Sequence, residues 1–203
     1  MEIFYNVTIR GINILTLYPV ILKVPKKIRI LRGKNKVQAL SKYARQSLII
    51  SSKRSELYPK KFEKGKNGEP LPNNGVYWSI THKSQYVAGV VSNIIAGIDI
   101  ERIKPVSNSL FNIICKKTEI EIFKNQNMPL IFFKIFTAKE AVLKACGIGL
   151  KGISKIKVVN ASNFFHTILE YNKIFYTVEH FILDSHLASV VKHNTKIIWE
   201  TYI

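Results

Sequence analysis

The segment VYWSITHKSQYVAGVVSNIIAGIDIERI, residues 76–103, constrains the fold of this chain more than any other. It is dense in β-branched and aromatic residues. It is interrupted only at Lys83 to Gln85 and at Ser92-Asn93, which predicts three strands joined by turns. Side chains alternate along extended backbone, so in the last strand Ile98 and Ile100 share one face while Gly97, Asp99 and Glu101 share the other. The chain holds 31 Lys plus Arg and only 13 Asp plus Glu, yet it sets two carboxylates side by side between isoleucines. Like charges so placed repel, and an apolar frame makes their desolvation costly unless something positive lies between them. A hard cation such as Mg²⁺ meets that need; so does an acidic outer face paired with lysines.

Around this segment the pattern alternates between helix and strand. Residues 1 to 24 read as strands, VQALSKYARQSLIISS (37–52) has helical spacing, and 58–75, rich in Gly, Pro and Asn, reads as a loop. Two helical segments are expected over 107–125, a longer helix over 129–146, and β-rich sequence from Ile153 onward. No sequence repeat is visible, but each half is a helix-plus-strands unit. The apolar run GINILTLYPVIL is broken by Pro19, lacks a small-residue cleavage site and, at about a dozen residues, is too short to span a bilayer.

Two cysteines, Cys115 and Cys146, are too few for a disulfide scaffold and lack metal-ligand spacing, which suits a reducing cytoplasm. A net charge of +18 implies an acidic partner without naming it: nucleic acid, an anionic membrane, a phosphorylated small molecule or an acidic protein. No recognition-helix, zinc-finger or RRM signature accompanies the charge.

A third acid stands in FFKIFTAKEAVLKACGIGL, residues 132–150. On a helix, Phe132, Phe133, Phe136 and Leu143 form an apolar stripe with Glu140 inside it, Lys139 and Lys144 at its edges, and Ala138, Ala141 and Ala145 opposite. A carboxylate on such a stripe needs a counter-charge, which Lys144 could supply at i, i+4, or a metal.

GIDIERIKP, followed about 40 residues later by FTAKEAVLKACGIGL and preceded by WSITHK, resembles the Sfp-type 4′-phosphopantetheinyl transferases. The resemblance implies an α+β fold of two similar halves related by a pseudo-two-fold axis, here 1–93 and 94–203, in a monomeric cytoplasmic enzyme. It implies Mg²⁺-dependent transfer of 4′-phosphopantetheine from coenzyme A to a serine of an acidic acyl or peptidyl carrier protein, releasing adenosine 3′,5′-bisphosphate. Membrane and nucleic acid are not among the implied partners.

Carried over residue by residue, Asp99, Glu101 and Glu140 look like the metal ligands and Glu140 like the base for the serine. Lys144 resembles a pyrophosphate contact and His82 a catalytic and phosphate contact. Thr81, Lys139, Lys36, Lys26 and the loop residues Gly68 and Pro70 resemble further coenzyme A contacts. Glu69 stands where many members carry Lys or Arg, and Thr81 where many carry Ser. The cluster Lys26, Lys27, Arg29 and Arg32 could bind the 3′-phosphate or form a solvated basic face. Other readings of the same residues are a metal-dependent phosphohydrolase and a basic nucleic-acid-binding protein.

Overall fold

The computed structural model describes residues 15–66 and 68–203, with the side chains of Leu150 and Lys151 left aside. The expected strands before residue 15, and Asn67 of the NGEP turn, lie outside the described residues. The fold is mixed α+β, as the sequence implies.

The strands β1 (Thr16–Leu17) and β2 (Val20–Lys23) lead into a short helix α1 (Lys26–Arg29) and the long helix α2 (Gly33–Ser55). The loop over 58–75 follows, and then the three strands read from the sequence: β3 (Tyr77–His82), β4 (Tyr86–Ser92) and β5 (Ile98–Arg102). Helices α3 (Asn108–Ile114), α4 (Lys117–Ile122) and α5 (Met128–Ala145) come next. A 3₁₀ turn over Leu150–Lys155 displaces the expected start of β structure to β6 (Lys157–Asn163). β7 (His166–Tyr171), β8 (Ile174–Leu183), β9 (His186–Val191), β10 (Lys196–Ile197) and β11 (Glu200–Tyr202) complete the order.

Two sheets carry most of the strands. One runs β11-β2-β4-β3 and the other β5-β9-β8-β7-β6, while β1 and β10 pair by themselves. The last strand thus returns to the first sheet, with Glu200 to Tyr202 parallel to Val20 to Leu22. Helix α2 packs on the first sheet and α5 on the second. Between the sheets, Ile21, Tyr86, Ala88 and Val90 meet Ile98, Ile100, Ala188 and Val190 in one apolar cluster. The two isoleucines of IDIE therefore point into an inter-sheet core, which sends Asp99 to the α5 side of the strand.

Helix α5 is capped by Asn127, whose Oδ1 accepts from Leu130 N at 2.9 Å, and it carries Pro129 in its first turn, where no intrahelical donor is lost. Ile131 through Ile135, Thr137 through Lys139, and Ala141 through Leu143 are all buried, so both the phenylalanine stripe and the alanine face are covered. The alanines serve close approach: a Cβ added to Gly97 would lie 1.9 Å from the Ala141 carbonyl oxygen. Only a glycine before β5, facing small residues on α5, lets strand and helix come so near, and that contact brings Asp99 and Glu101 to Glu140 and Lys144.

Candidate active site

A cleft of about 320 Å³ lies where β3, β5, α5 and the 58–75 loop converge. Thr81, His82, Asp99, Glu101, Glu140 and Lys144 all line it, so six of the residues singled out in the sequence meet in one place. Gly68 and Pro70 border an adjoining hollow of about 220 Å³ at the C-terminal end of α5, shared with Glu140 and Lys144.

Asp99 is the anchor. It is 4% exposed, and its Oδ1 accepts from Thr81 Oγ1 at 2.9 Å and from Lys144 Nζ at 2.8 Å. Lys144 also donates to the Ile98 carbonyl at 3.1 Å. Of the two counter-charges the sequence leaves open for Glu140, Lys144 pairs elsewhere: it reaches across to β5 and meets the more deeply buried Asp99 carboxylate. Glu101, one pleat further, accepts from Lys83 Nζ at 2.5 Å.

Burial raises the pKa of Glu140 to about 7, and the Asp99 and Glu101 carboxylates add to the shift, with Lys144 and Lys83 opposing it. Glu101 is raised for the same first cause, burial. His82 is pushed down by burial and then by the Lys144, Lys64 and Lys83 ammoniums, so it is neutral near pH 7 and can offer a phosphate one N–H donor.

Four buried side-chain polar atoms have no hydrogen-bond partner among the described residues, and two of them, Asp99 Oδ2 and Glu140 Oε1, belong to residues of this cleft. Carboxylate oxygens so placed are costly unless something cationic or hydrogen-bonding meets them. Hard oxygen donors beside cationic side chains suit a Mg²⁺-like ion that takes one or two carboxylates and completes its shell with water and phosphate oxygens. Among the described residues no three Asp, Glu, His or Cys side chains are gathered as a ready metal-ligand set. Two of the three acids are instead engaged by lysines, Lys83 on Glu101 and Lys144 on Asp99 Oδ1.

The remaining expected contacts lie elsewhere. Lys139 is turned from the cleft and fully buried, its ammonium held by Glu119 Oε2 and the Ile114 carbonyl, both at 2.9 Å. Burial of α5 on that side leaves Lys139 no route to a ligand, which corrects its assignment as a coenzyme A contact. Lys26 opens α1, and Lys36 lies in α2 with its ammonium on the Arg29 carbonyl at 2.9 Å; neither lines this cleft.

Lys64 and Lys83, conversely, line it without having been singled out. Lys83 directly follows His82 in WSITHK, and that adjacency is the one signal that could have found it. Lys64 comes from the loop, and burial pushes its pKa down, with Arg45 and Lys144 adding to the effect.

The family model of the 4′-phosphopantetheinyl transferase superfamily matches residues 96–191. The 4′-phosphopantetheinyl transferase gsp of Aneurinibacillus migulanus is 32% identical over 92 residues, 44% of this chain and 39% of that protein. The 4′-phosphopantetheinyl transferase psf-1 of Bacillus pumilus is 31% identical over 98 residues, 46% of this chain and 41% of its own length. The chain thus spans about two fifths of the length of the curated relatives it matches. The matched segment contributes Asp99, Glu101, Glu140 and Lys144 to the cleft, and over this segment the chain is similar to the 4′-phosphopantetheinyl transferase superfamily.

Proposed function

We propose that this protein transfers the 4′-phosphopantetheine group of coenzyme A to a serine hydroxyl of an apo carrier protein, with Mg²⁺ held at Asp99 and Glu140 and, once Lys83 releases it, Glu101. The observation that carries the reading is the pair of unpartnered carboxylate oxygens, Asp99 Oδ2 and Glu140 Oε1, in a cleft that also presents Lys144, Lys64 and His82. Acids alone would repel a pyrophosphate and bases alone would need no acids. The mixture suits a polyanion that arrives with a divalent cation.

Phosphoryl transfer asks the protein for positioning and for neutralisation of spread charge more than for covalent help. Bound at those oxygens, Mg²⁺ would neutralise charge on the pyrophosphate. His82 and Lys64 bind and orient the phosphates from the β3 and loop side. The serine oxygen forms a bond to the phosphorus of the phosphopantetheine arm while the bond to adenosine 3′,5′-bisphosphate breaks. Glu140 receives the serine proton, and Lys144 offsets the charge that grows on the leaving oxygen. The inter-sheet core keeps Asp99 fixed while this happens.

The hydrolase and nucleic-acid readings are separated from this one by intact-mass analysis of an apo carrier protein incubated with the protein, coenzyme A and Mg²⁺. Transfer adds a phosphopantetheine-sized mass to the carrier. Cleaved coenzyme A beside an unmodified carrier overturns the proposal in favour of hydrolysis, and no change in either overturns it outright.

A further inference from the structure

On the other side of Lys83 and Glu101 lies a second cleft, of about 380 Å³, lined by Lys83, Ser84, Gln85, Glu101, Arg102, Lys104 and His186. We propose that this cleft is a binding site for a single oxyanion, a phosphate or carboxylate group, distinct from the Asp99–Glu140 cleft and coupled to it through Lys83.

Three cationic side chains face one carboxylate in its lining, and that carboxylate, Glu101, is already paired with Lys83. Arg102 and Lys104 stand exposed with no ion pair among the described residues. The second observation is His186. It is 1% exposed, yet its Nδ1 is buried without a hydrogen-bond partner.

The β5–β9 register sets His186 directly opposite Arg102, so the two side chains share one face of the sheet. The Tyr86 ring packs edge-on against His186 at 4.8 Å between centroids, and Tyr86 is itself fixed by donating to Asp184 Oδ2 at 2.5 Å. The imidazole is therefore held in place with one nitrogen unsatisfied. Burial and then Arg102 push its pKa down, so it meets a ligand as a neutral ring able to donate one hydrogen bond. A guanidinium, an ammonium and an imidazole N–H converging on one hollow form a receptor for one oxyanion.

Lys83 also lines the Asp99–Glu140 cleft. An anion in the second cleft offers its ammonium a partner other than Glu101, and Glu101 is then released toward a cation. The two clefts are linked through one lysine, and linkage is reciprocal: whatever the anion does for cation affinity, the cation does for anion affinity.

Inorganic phosphate titrated into protein labelled with ¹⁵N in its histidine rings, at ionic strength held constant with chloride, tests this directly. The expected result is a saturable shift of the His186 ring nitrogens. Its midpoint should rise about tenfold or more in Arg102→Gln and in Lys104→Gln, the loss of one charge-assisted contact. Both substitutions are at exposed positions and leave the fold in place. A His186 signal that never responds, or that responds in both variants with the wild-type midpoint, overturns the proposal.

Repeating the titration with coenzyme A bound and no acceptor present identifies the source of the group. If coenzyme A alone produces the shift and abolishes the phosphate response, the anion is one of its phosphates. An unchanged phosphate response assigns the site to an anion from the acceptor or from solution. In a parallel arm, Mn²⁺ affinity measured by electron paramagnetic resonance should rise when phosphate is present and lose that dependence in Lys83→Met; equal Mn²⁺ affinity with and without phosphate contradicts the coupling. None of these readouts requires turnover, so failure of the transferase reading and failure of this one remain distinguishable.

Discussion

Helix α5 carries two lysines five residues apart that meet carboxylates in opposite ways. Lys139 and Glu119 form a closed pair, 1% and 2% exposed as side chains, in which the ammonium nitrogen and both carboxylate oxygens have partners. Glu119 Oε1 accepts from Val158 N, and its Oε2 accepts from Lys116 N and Lys139 Nζ, all at 2.9 Å. Lys144 and Asp99 form an open pair: the lysine is 26% exposed, Thr81 supports one carboxylate oxygen, and the other oxygen has no partner. Glu140 beside them is left equally unsatisfied at Oε1. The closed pair ties α4, α5 and β6 together, whereas the open one leaves carboxylate oxygens without a partner, and it is there that the proposed function puts a ligand. Saturation separates a structural ion pair from a functional one here, more than burial or charge does.

The largest expected effect is on the open side. Asp99→Ala and Glu140→Ala each lower transfer by about 10²–10³-fold or more while leaving circular dichroism and cooperative unfolding near those of the wild type, because the lost groups serve a ligand. Wild-type-like turnover of either variant at saturating Mg²⁺ would remove the distinction between the two pairs.

On the closed side the expected loss is of stability. Lys139→Met strands the Glu119 carboxylate in the core and costs roughly 3–5 kcal/mol in denaturant unfolding, and adding Glu119→Gln recovers a good part of it. Coenzyme A affinity of the protein that remains folded stays unchanged, since Lys139 points away from the cleft. A rise in KM for coenzyme A without loss of stability would return Lys139 to the site.

Lys144→Ala has the next largest effect, a fall in kcat of about 10²-fold with little change in KM for coenzyme A, as expected of a group that meets charge arising in the transition state. A raised KM at unchanged kcat would make it a ground-state contact instead.

The smallest effect concerns Glu140. Its folded-state pKa of about 7 lies above the ordinary carboxylate value, so the unfolded chain releases this proton at lower pH than the folded one. The metal-free protein therefore loses stability as pH rises from the ordinary value through about 7. Glu140→Gln should raise the metal-free Tm by about 2–4 °C at pH 8, roughly the shift that 1 kcal/mol brings in a chain of this size, and should raise it less at pH 5. Equal shifts at the two pH values would mean that the carboxylate is not held in strain.

Local periodicity made much of the open side legible in the sequence. Alternation alone put Ile98 and Ile100 on one face and Asp99 on the other, and the structure places those isoleucines in the inter-sheet core. Gly97 and the alanines of α5 were visible as small residues, but their joint purpose is a contact between segments 44 residues apart in Gly97 and Ala141, which no window of periodicity spans.

The closed pair was illegible for the same reason. Lys139 sits beside Glu140 in the motif and so reads as part of the site, while its partner Glu119 lies one helix earlier, beyond any i, i+4 rule. The return of β11 to the first sheet is likewise a long-range pairing, of Glu200 with Val20. Lys64 had no signal at all, because the loop that delivers it has no period.

Divalent-cation binding measured without turnover bears most directly on the open pair. Mn²⁺ titrated into the protein, followed by electron paramagnetic resonance, should show a single site whose affinity falls more than about tenfold in Asp99→Asn and in Glu140→Gln, and is unchanged in the folded fraction of Lys139→Met. A wild-type protein that binds no Mn²⁺, or Asp99→Asn and Glu140→Gln variants that bind it as tightly as the wild type, would contradict the claim that the unpartnered oxygens of Asp99 and Glu140 are there to hold a cation.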